Sequence, residues 1–429
     1  KSMKGFCAAL VLAAALGTAS AAHWAVAIAG SSGFANYRHQ ADTAHAFQVF
    51  RKLGIPESNI IVLMADDVAN DPSNPFPGQM FNKPDGPDVY KGLKVDYSGS
   101  DVDKETFLAV LTGDKATVSG KGNGKVLEST SSDHVFLAYF DHGATGLVGM
   151  PNGAYLYADE LLNAFKTMES KKMFSQLTVY MEACESGSMF QSLPDNINVY
   201  AVSAANPTES SWGTYCPPDD TVQGKHIGSC LGDLFSVNWL EDADSDDLNK
   251  ESLEQQFNKV KTETTKSHVM QWGDQTFTSE PVSDFIGSDT VGPLGDSNVA
   301  TIEDVELRQR SAVDSRDVML NLLYNRYLSA PEGARQEEAA ALQAEVEDRE
   351  RWDAAFVKLE LLVRGPRMIV VNHSTPRYFD CQRAAIEAIE ARCGRLSDYA
   401  LKHVYRVVDM CTLEGGATER ILANVEKVC

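Results

Sequence analysis

Two continuous apolar runs, Val135–Phe140 and Leu177–Met181, constrain the fold of this chain more than any other feature. Each has the length of a strand covered on both faces. Each also ends at a reactive residue followed by small ones, His142-Gly143 after the first and Cys184-Glu185-Ser186-Gly187 after the second. Between them, Ala158–Lys172 carries Leu161, Leu162, Phe165 and Met168 at helical spacing. A strand–helix–strand crossover makes the two strands parallel and brings their C-terminal ends to one edge of the sheet, where ligands bind in open α/β folds. A histidine and a cysteine delivered there are a candidate base and nucleophile.

The flanking sequence extends this pattern. His23–Gly30 reads as a strand, followed by a helix through Ala44, Phe47 and Phe50 that closes at Gly54. Asn59–Ala65, Asn198–Ala204 and His268–Trp272 read as further strands, and Lys104–Leu111, Leu231–Asp247 and Glu251–Lys261 as helices. Asp71–Tyr97, rich in Pro, Gly, Asp and Asn, reads as a long surface excursion. The alternation predicts a mostly parallel, helix-flanked α/β sheet with its strand order open. Ser288–Ser311 is Gly-, Asp- and Ser-rich and reads as a linker. Beyond it Val318–Leu328, Arg335–Leu362, Cys381–Cys393, Leu396–Cys411 and Ala417–Val428 are amphipathic helical stretches, a small second domain.

The N-terminus has Lys1 and Lys4, an apolar run from Phe6 to Leu16 and then Ala19-Ser20-Ala21. That is the layout of a secretory signal cut near Ala21, with an apolar run too short to span a bilayer. The expected divisions are a signal at 1–21, an α/β domain at 22–285, a linker region at 286–345 and a helical domain at 346–429. No later stretch reads as a membrane span, and the net charge of −22 argues against nucleic acid as a partner. Of the eight cysteines, Cys7 lies in the expected signal, Cys216 and Cys230 flank a loop, and Cys381, Cys393, Cys411 and Cys429 cluster at the C-terminus. Six can pair, which leaves Cys184 as a free thiol. No C-x-x-C pair is present, so zinc and thioredoxin-type chemistry are not expected. Asn372-His373-Ser374 is a glycosylation sequon.

A thiol with an ordinary pKa near ~8.5 needs an imidazole or a backbone dipole to act as a nucleophile. A helix is expected to follow Cys184 and favour its thiolate, and the N–H groups of Gly143 and Cys184 are natural donors to an oxyanion. Either residue alone is more often structural, a buried thiol or a satisfied histidine. Both at adjacent strand ends point to catalysis.

Several segments carry a resemblance: Asn-Tyr-Arg-His-Gln-Ala-Asp at 36–42, Asp-His-Gly at 141–143, Glu-Ala-Cys-Glu-Ser-Gly-Ser at 182–188, Ala-Ala-Asn-Pro-Thr-Glu-Ser-Ser at 204–211 and Leu-Gly-Asp at 231–233. In that order and spacing they resemble the legumains, also called asparaginyl endopeptidases or vacuolar processing enzymes, from about His23 to the C-terminus. Trp212–Pro217 and Val313–Asp317 are similar to the plant and algal branch, which usually has Asn-Gln where this chain has Asp314-Ser315. The resemblance implies a caspase-like sheet, Cys184 as nucleophile, His142 as general acid/base and Asn36 orienting it. It implies an S1 pocket for Asn, and for Asp at low pH, lined by Arg38, His39, Glu182, Ser211 and Asp233.

Asp141 matches an aspartate able to cyclise to a succinimide. Gly213 follows the tryptophan at a position where peptide ligases tend to carry larger residues. The resemblance also implies the pairs Cys216–Cys230, Cys381–Cys411 and Cys393–Cys429, no cofactor, and a vacuole-like acidic compartment. The helical domain resembles a prodomain that covers the active site and leaves in acid after cleavage in the linker around Asn298 and Asp314. Carboxylates that pair across the interface and lose charge in acid offer a mechanism for that release. The expectation is a cysteine endopeptidase made as a zymogen, with peptides and its own prodomain as partners. A peptide ligase using the same acyl-enzyme is the second reading, and an inactive storage or binding protein the third.

Overall fold

The computed structural model describes residues 21–287, 302–365, 373–413 and 417–429. The signal at 1–20, the linker stretch around Asn298 and the sequon residue Asn372 lie outside the described residues. A six-stranded sheet organises the first part of the chain. Its strands are β1 (His23–Ala29), β2 (Ile60–Leu63), β3 (His134–Phe140), β4 (Gln176–Glu182), β5 (Val199–Ser203) and β6 (Met270–Gly273), in the order β6-β5-β4-β3-β1-β2. β1 to β5 are parallel and β6 closes one edge antiparallel. From β1 the chain moves outward to β2 and then returns to build β3, β4 and β5 on the other side. The direction therefore reverses between β1 and β3, which is where an open α/β sheet holds its ligand.

Alternate residues of the central strands feed two cores, one on each face. On one face Phe136, Phe140 and Tyr180 surround Trp239, under α1 (Tyr37–Lys52), α4 (Leu234–Ser245) and α5 (Leu253–Glu263). On the other, Leu137, Tyr139, Val179 and Met181 pack beneath α2 (Lys104–Thr112) and α3 (Ala158–Ser170).

Several segments differ from the sequence reading. The 71–97 excursion contains no helix, yet it reaches into the protein: Met80, Phe81, Asn82 and Tyr97 are buried. Part of the expected linker is a helix, α6 (Ile302–Arg310). Its stability comes from charge, not apolar spacing. Glu303 and Asp304 sit in its first turn and Arg308 and Arg310 in its last, complementing the helix dipole. Buried Arg308 also donates to Glu241 at 2.6 Å and Glu263 at 3.2 Å.

The C-terminal part is helical: α7 (Val318–Ser329), α8 (Arg335–Arg364), α9 (Phe379–Cys393), α10 (Val404–Cys411) and α11 (Ala417–Val425). Leu396–Tyr399 stay outside α10, which begins later than its sequence suggested. Disulfides Cys381–Cys411 and Cys393–Cys429 tie α9 to α10 and to the chain end, and Cys216–Cys230 closes its loop. The core here holds Trp352, Phe356, Ile386, Ile389, Val404 and Ile421, and takes in Ala144, Leu147, Tyr155 and Tyr157 from the segment after β3. The helical domain is thus seated on the edge where β3 and β4 end. No helix among the described residues is long and apolar enough to cross a membrane.

Candidate active site

Strand register brings His142 and Cys184 together. Phe140 lies opposite Glu182, and the Asp141 N–H donates to Glu182 O at 3.0 Å, so residues 142 and 184 leave the sheet side by side. Gly143 follows because a Cβ there would stand 2.5 Å from Cys184 O and 2.9 Å from Ala183 Cβ. Asn36, beyond β1, donates through Nδ2 to Ser32 O at 3.1 Å, which leaves its Oδ1 to accept from His142 Nε2 at 2.8 Å. That hydrogen bond places the proton on Nε2 and the lone pair on Nδ1, which is buried and unpartnered.

Cys184 is fully buried and is the free cysteine among the described residues. Its Sγ accepts from the Ser211 N–H at 3.3 Å, and the Ser211 Oγ lies 3.8 Å away. The helix expected after Cys184 is absent. Glu185 takes a left-handed conformation (φ 48°) and only a single 3-10 turn, Ser186–Met189, follows. Gly187 is needed there because a Cβ would stand 2.8 Å from Trp272 and 3.0 Å from Ala205 O and Pro207 Cδ. No extended helix dipole reaches the thiol. Burial pushes the Cys184 pKa up to about 11, against the opposing pull of Arg316.

Next to this pair lies a buried charged cluster. Arg38 Nε donates to Asp233 Oδ1 at 2.9 Å, and Glu182 Oε2 accepts from the Ser236 N–H and Oγ–H at 3.0 and 2.9 Å. Arg38 Nη2, Glu182 Oε1 and Asp233 Oδ2 are buried without hydrogen-bond partners, with His39 Nε2 standing 3.4 Å from Asp233 Oδ2, and this leaves one donor and two acceptors. Burial pushes the Glu182 and Asp233 carboxyls up. His39 shares a proton with Ser31 Oγ at 2.6 Å and lies edge-on to His142. Burial, with Arg38 beside it, keeps its imidazole neutral. Gly213 leaves no spare room, since a Cβ there would meet both sulfurs of Cys216–Cys230 and Arg38 Cδ at 3.3–3.4 Å. Asp141 fits only because Gly30 and Gly149 lack side chains. Both its oxygens are buried and unpartnered, and burial pushes its carboxyl well above the usual range.

Residues 23–288 match the Peptidase C13 family, and residues 341–429 match the legumain prodomain. The chain belongs to the Peptidase C13 family. A vacuolar-processing enzyme of Citrus sinensis is 40% identical over 420 residues, spanning 94% of this chain and 84% of that protein. The vacuolar-processing enzyme beta-isozyme of Arabidopsis thaliana is 39% identical, spanning 90% and 82%. Legumain of Mus musculus is 38% identical, spanning 95% and 92%. Caspase-1 of Spodoptera frugiperda superposes with a TM-score of 0.37 at 11% identity over 64% of this chain and 93% of that one, too slight a likeness to argue from. As a C13 peptidase that carries a legumain prodomain, the protein is a cysteine-type endopeptidase in zymogen form.

The zymogen closes this C13 site with two segments. Val313-Asp314 adds as an antiparallel strand to Trp212-Gly213, and the Ser315 N–H donates to Ser211 O at 3.0 Å. Arg316 then donates to Gly143 O at 2.5 Å, Glu185 Oε2 at 2.7 Å and Asp398 O at 2.9 Å, while its own carbonyl accepts from Arg349. The Asp398 carboxylate lies 3.2 Å from His142 Nε2. Burial opposes the Asp398 charge, but His142, Arg38 and Arg316 hold its carboxyl below the usual range. Burial pushes Glu185 up to about 7 although Arg316 pulls the other way. Sequence reasoning missed Asp398, which carries no local signal. Arg316 lay within the matched segment 313–317, but nothing in the sequence shows that its guanidinium spans both domains.

Proposed function

We propose that this peptidase cleaves after asparagine, and after aspartate in acid, by way of a thioester on Cys184. The observation that carries the reading is the unpartnered trio of Arg38 Nη2, Glu182 Oε1 and Asp233 Oδ2. A carboxamide oxygen would accept from the arginine and its NH2 would donate to the carboxylates. An ionised aspartate side chain offers no donor to those acceptors, whereas a protonated one does, so aspartate is accepted only in acid. Ser211 and His39 complete the pocket.

Once the linker strand leaves, His142 Nδ1 takes the Cys184 proton and the thiolate attacks the scissile carbonyl. The N–H groups of Gly143 and Cys184 receive the oxyanion. His142 then protonates the departing amine, and water hydrolyses the thioester with His142 as base. Asn36 holds the tautomer this needs. Asp141, whose carboxyl burial pushes well above the usual range, can cyclise onto the following backbone nitrogen with loss of water. Gly213 favours hydrolysis over ligation. The chain is read as a signal to residue 21, a peptidase to 285, a linker to 345 and a prodomain beyond. It acts in a vacuole- or lysosome-like compartment, where acid releases the prodomain.

The test is digestion of a peptide library by the activated enzyme, read by mass spectrometry at neutral and acid pH. Cleavage after Asn at both, and after Asp only in acid, is expected. Cleavage indifferent to the P1 side chain refutes the reading.

A further inference from the structure

We propose that Asn82 is a positioning residue for P1 recognition, holding the Arg38–Asp233 pair in place through Asp42. The inference rests on the pocket assignment above and adds a residue from the 71–97 excursion, which none of the motifs quoted above includes. Asn82 is buried, and every polar atom of its side chain is used. Its Nδ2 donates to Asp42 Oδ1 at 2.6 Å and to Leu231 O at 2.9 Å. Its Oδ1 must then accept, and it does so from His45 Nδ1 at 2.7 Å. The other His45 nitrogen donates to Asp244 at 2.9 Å, and Asp244 also pairs with Lys52 at 3.3 Å.

Asp42 passes the constraint to the pocket. Its Oδ2 accepts from the Asp233 backbone N–H at 3.1 Å, and Asp233 Oδ1 accepts from Arg38. Asn82 therefore grips Leu231-Gly232-Asp233 at two points, directly at the Leu231 carbonyl and through Asp42 at the Asp233 amide. The intervening Gly232 is where the side chains need room: a Cβ there would stand 2.5 Å from Val237 Cγ2, 2.8 Å from Asn82 Nδ2 and 2.9 Å from Asp42 Oδ1. The chain does not turn through a left-handed conformation at Gly232, so space alone explains the glycine. These contacts lie behind the pocket wall, so Asn82 acts on where Asp233 and Arg38 stand and leaves Cys184 and His142 untouched.

The activated enzyme provides the test, with kinetics on an Asn-P1 peptide and alkylation of Cys184 by iodoacetamide. Asn82→Asp keeps the shape and the acceptor toward His45 but removes both donors. It should raise KM on the order of ten-fold, leave kcat within about three-fold, and leave the alkylation rate unchanged. Gly232→Ala, which crowds the same two atoms and also Val237 Cγ2, should raise KM in the same way, and Val237→Ala in that background, which removes the third clash, should leave the higher KM in place. Exchanging the two side chains (Asn82→Asp together with Asp42→Asn) restores the 42–82 hydrogen bond with donor and acceptor reversed but not the bond to Leu231 O, and should recover part of the KM. Unchanged KM in Asn82→Asp and Gly232→Ala overturns the proposal. So does a fall in kcat and alkylation that the exchange does not rescue, because that marks a role in folding alone. If Asn82→Asp does not fold, Gly232→Ala and the exchange decide. Failure of the Asn-P1 reading itself would appear in the wild-type enzyme, as no preference for Asn over Gln.

Discussion

His403 offers the sharpest prediction about acid activation. It is buried in the prodomain, stacked on Phe356, with Nε2 on Asp353 at 2.8 Å and Nδ1 unpartnered. Burial pulls its pKa to about 4; Lys402 and Arg406 add to this and Asp353 opposes it. A base depressed in the folded state gains its proton on unfolding. Its contribution to stability is therefore complete above its ordinary value near ~6.5 and is lost as pH falls toward 4. The linkage amounts to about 2.5 kcal/mol at about pH 4.5, against almost nothing at neutral pH.

Asp398 and Asp353 do not act in that window. Both are held below their ordinary range and lose their contribution only as pH falls below about 4. Glu185, raised to about 7, works in the opposite direction. Its contribution is complete below the ordinary carboxylate value near ~4.5 and is lost as pH rises past neutrality. A buried neutral histidine thus adds an acid-sensitive group to the pairing of carboxylates across the interface that the sequence suggested. The assay is urea unfolding of the Cys184→Ala zymogen, with and without His403→Gln, followed by tryptophan fluorescence near pH 7 and pH 4.5, Trp352 being buried beside Phe356. The prodomain of the parent should lose about 2.5 kcal/mol more than that of His403→Gln between the two conditions. Equal losses in both proteins would refute the reasoning.

Other consequences can be checked directly. Arg316→Ala leaves Glu185 buried beside the site without its cation, which costs about 3 kcal/mol; an Asn-bearing electrophile should then label Cys184 in the intact zymogen about a hundred-fold faster near neutral pH. Asn36→Ala frees the His142 ring and should lower kcat of the activated enzyme about ten-fold or more, with KM little changed. Gly213→Val drives a side chain against the Cys216–Cys230 sulfurs and Arg38, and should raise KM for Asn-P1 peptides several-fold while a small alkylating reagent still reaches Cys184.

The sheet was legible because its central strands are unbroken apolar runs, and the crossover from Val135 to Met181 determines which residues share an edge. Strand order was not, since periodicity says what a strand buries and not which neighbour it takes. Polar interior residues were the least visible. Asn82 sits in a Pro- and Gly-rich stretch whose composition reads as surface, and only its partners Asp42 and Leu231 show it to be interior. The helix Ile302–Arg310 was missed for a related reason, its stability resting on Arg308 and two glutamates instead of an apolar stripe. Asp398 meets His142 across a domain interface from 256 positions away (398 − 142), a distance over which no sequence pattern operates.

The central claim is that Cys184 is the nucleophile of a self-activating zymogen. Its most direct test is acid treatment of the purified precursor beside a Cys184→Ala version, with both followed by mass spectrometry and by turnover of an Asn-P1 peptide. The account predicts cleavage after Asn or Asp within residues 286–345 and new activity in the first protein, and neither in the second. Equal cleavage and activity in the Cys184→Ala protein would contradict it.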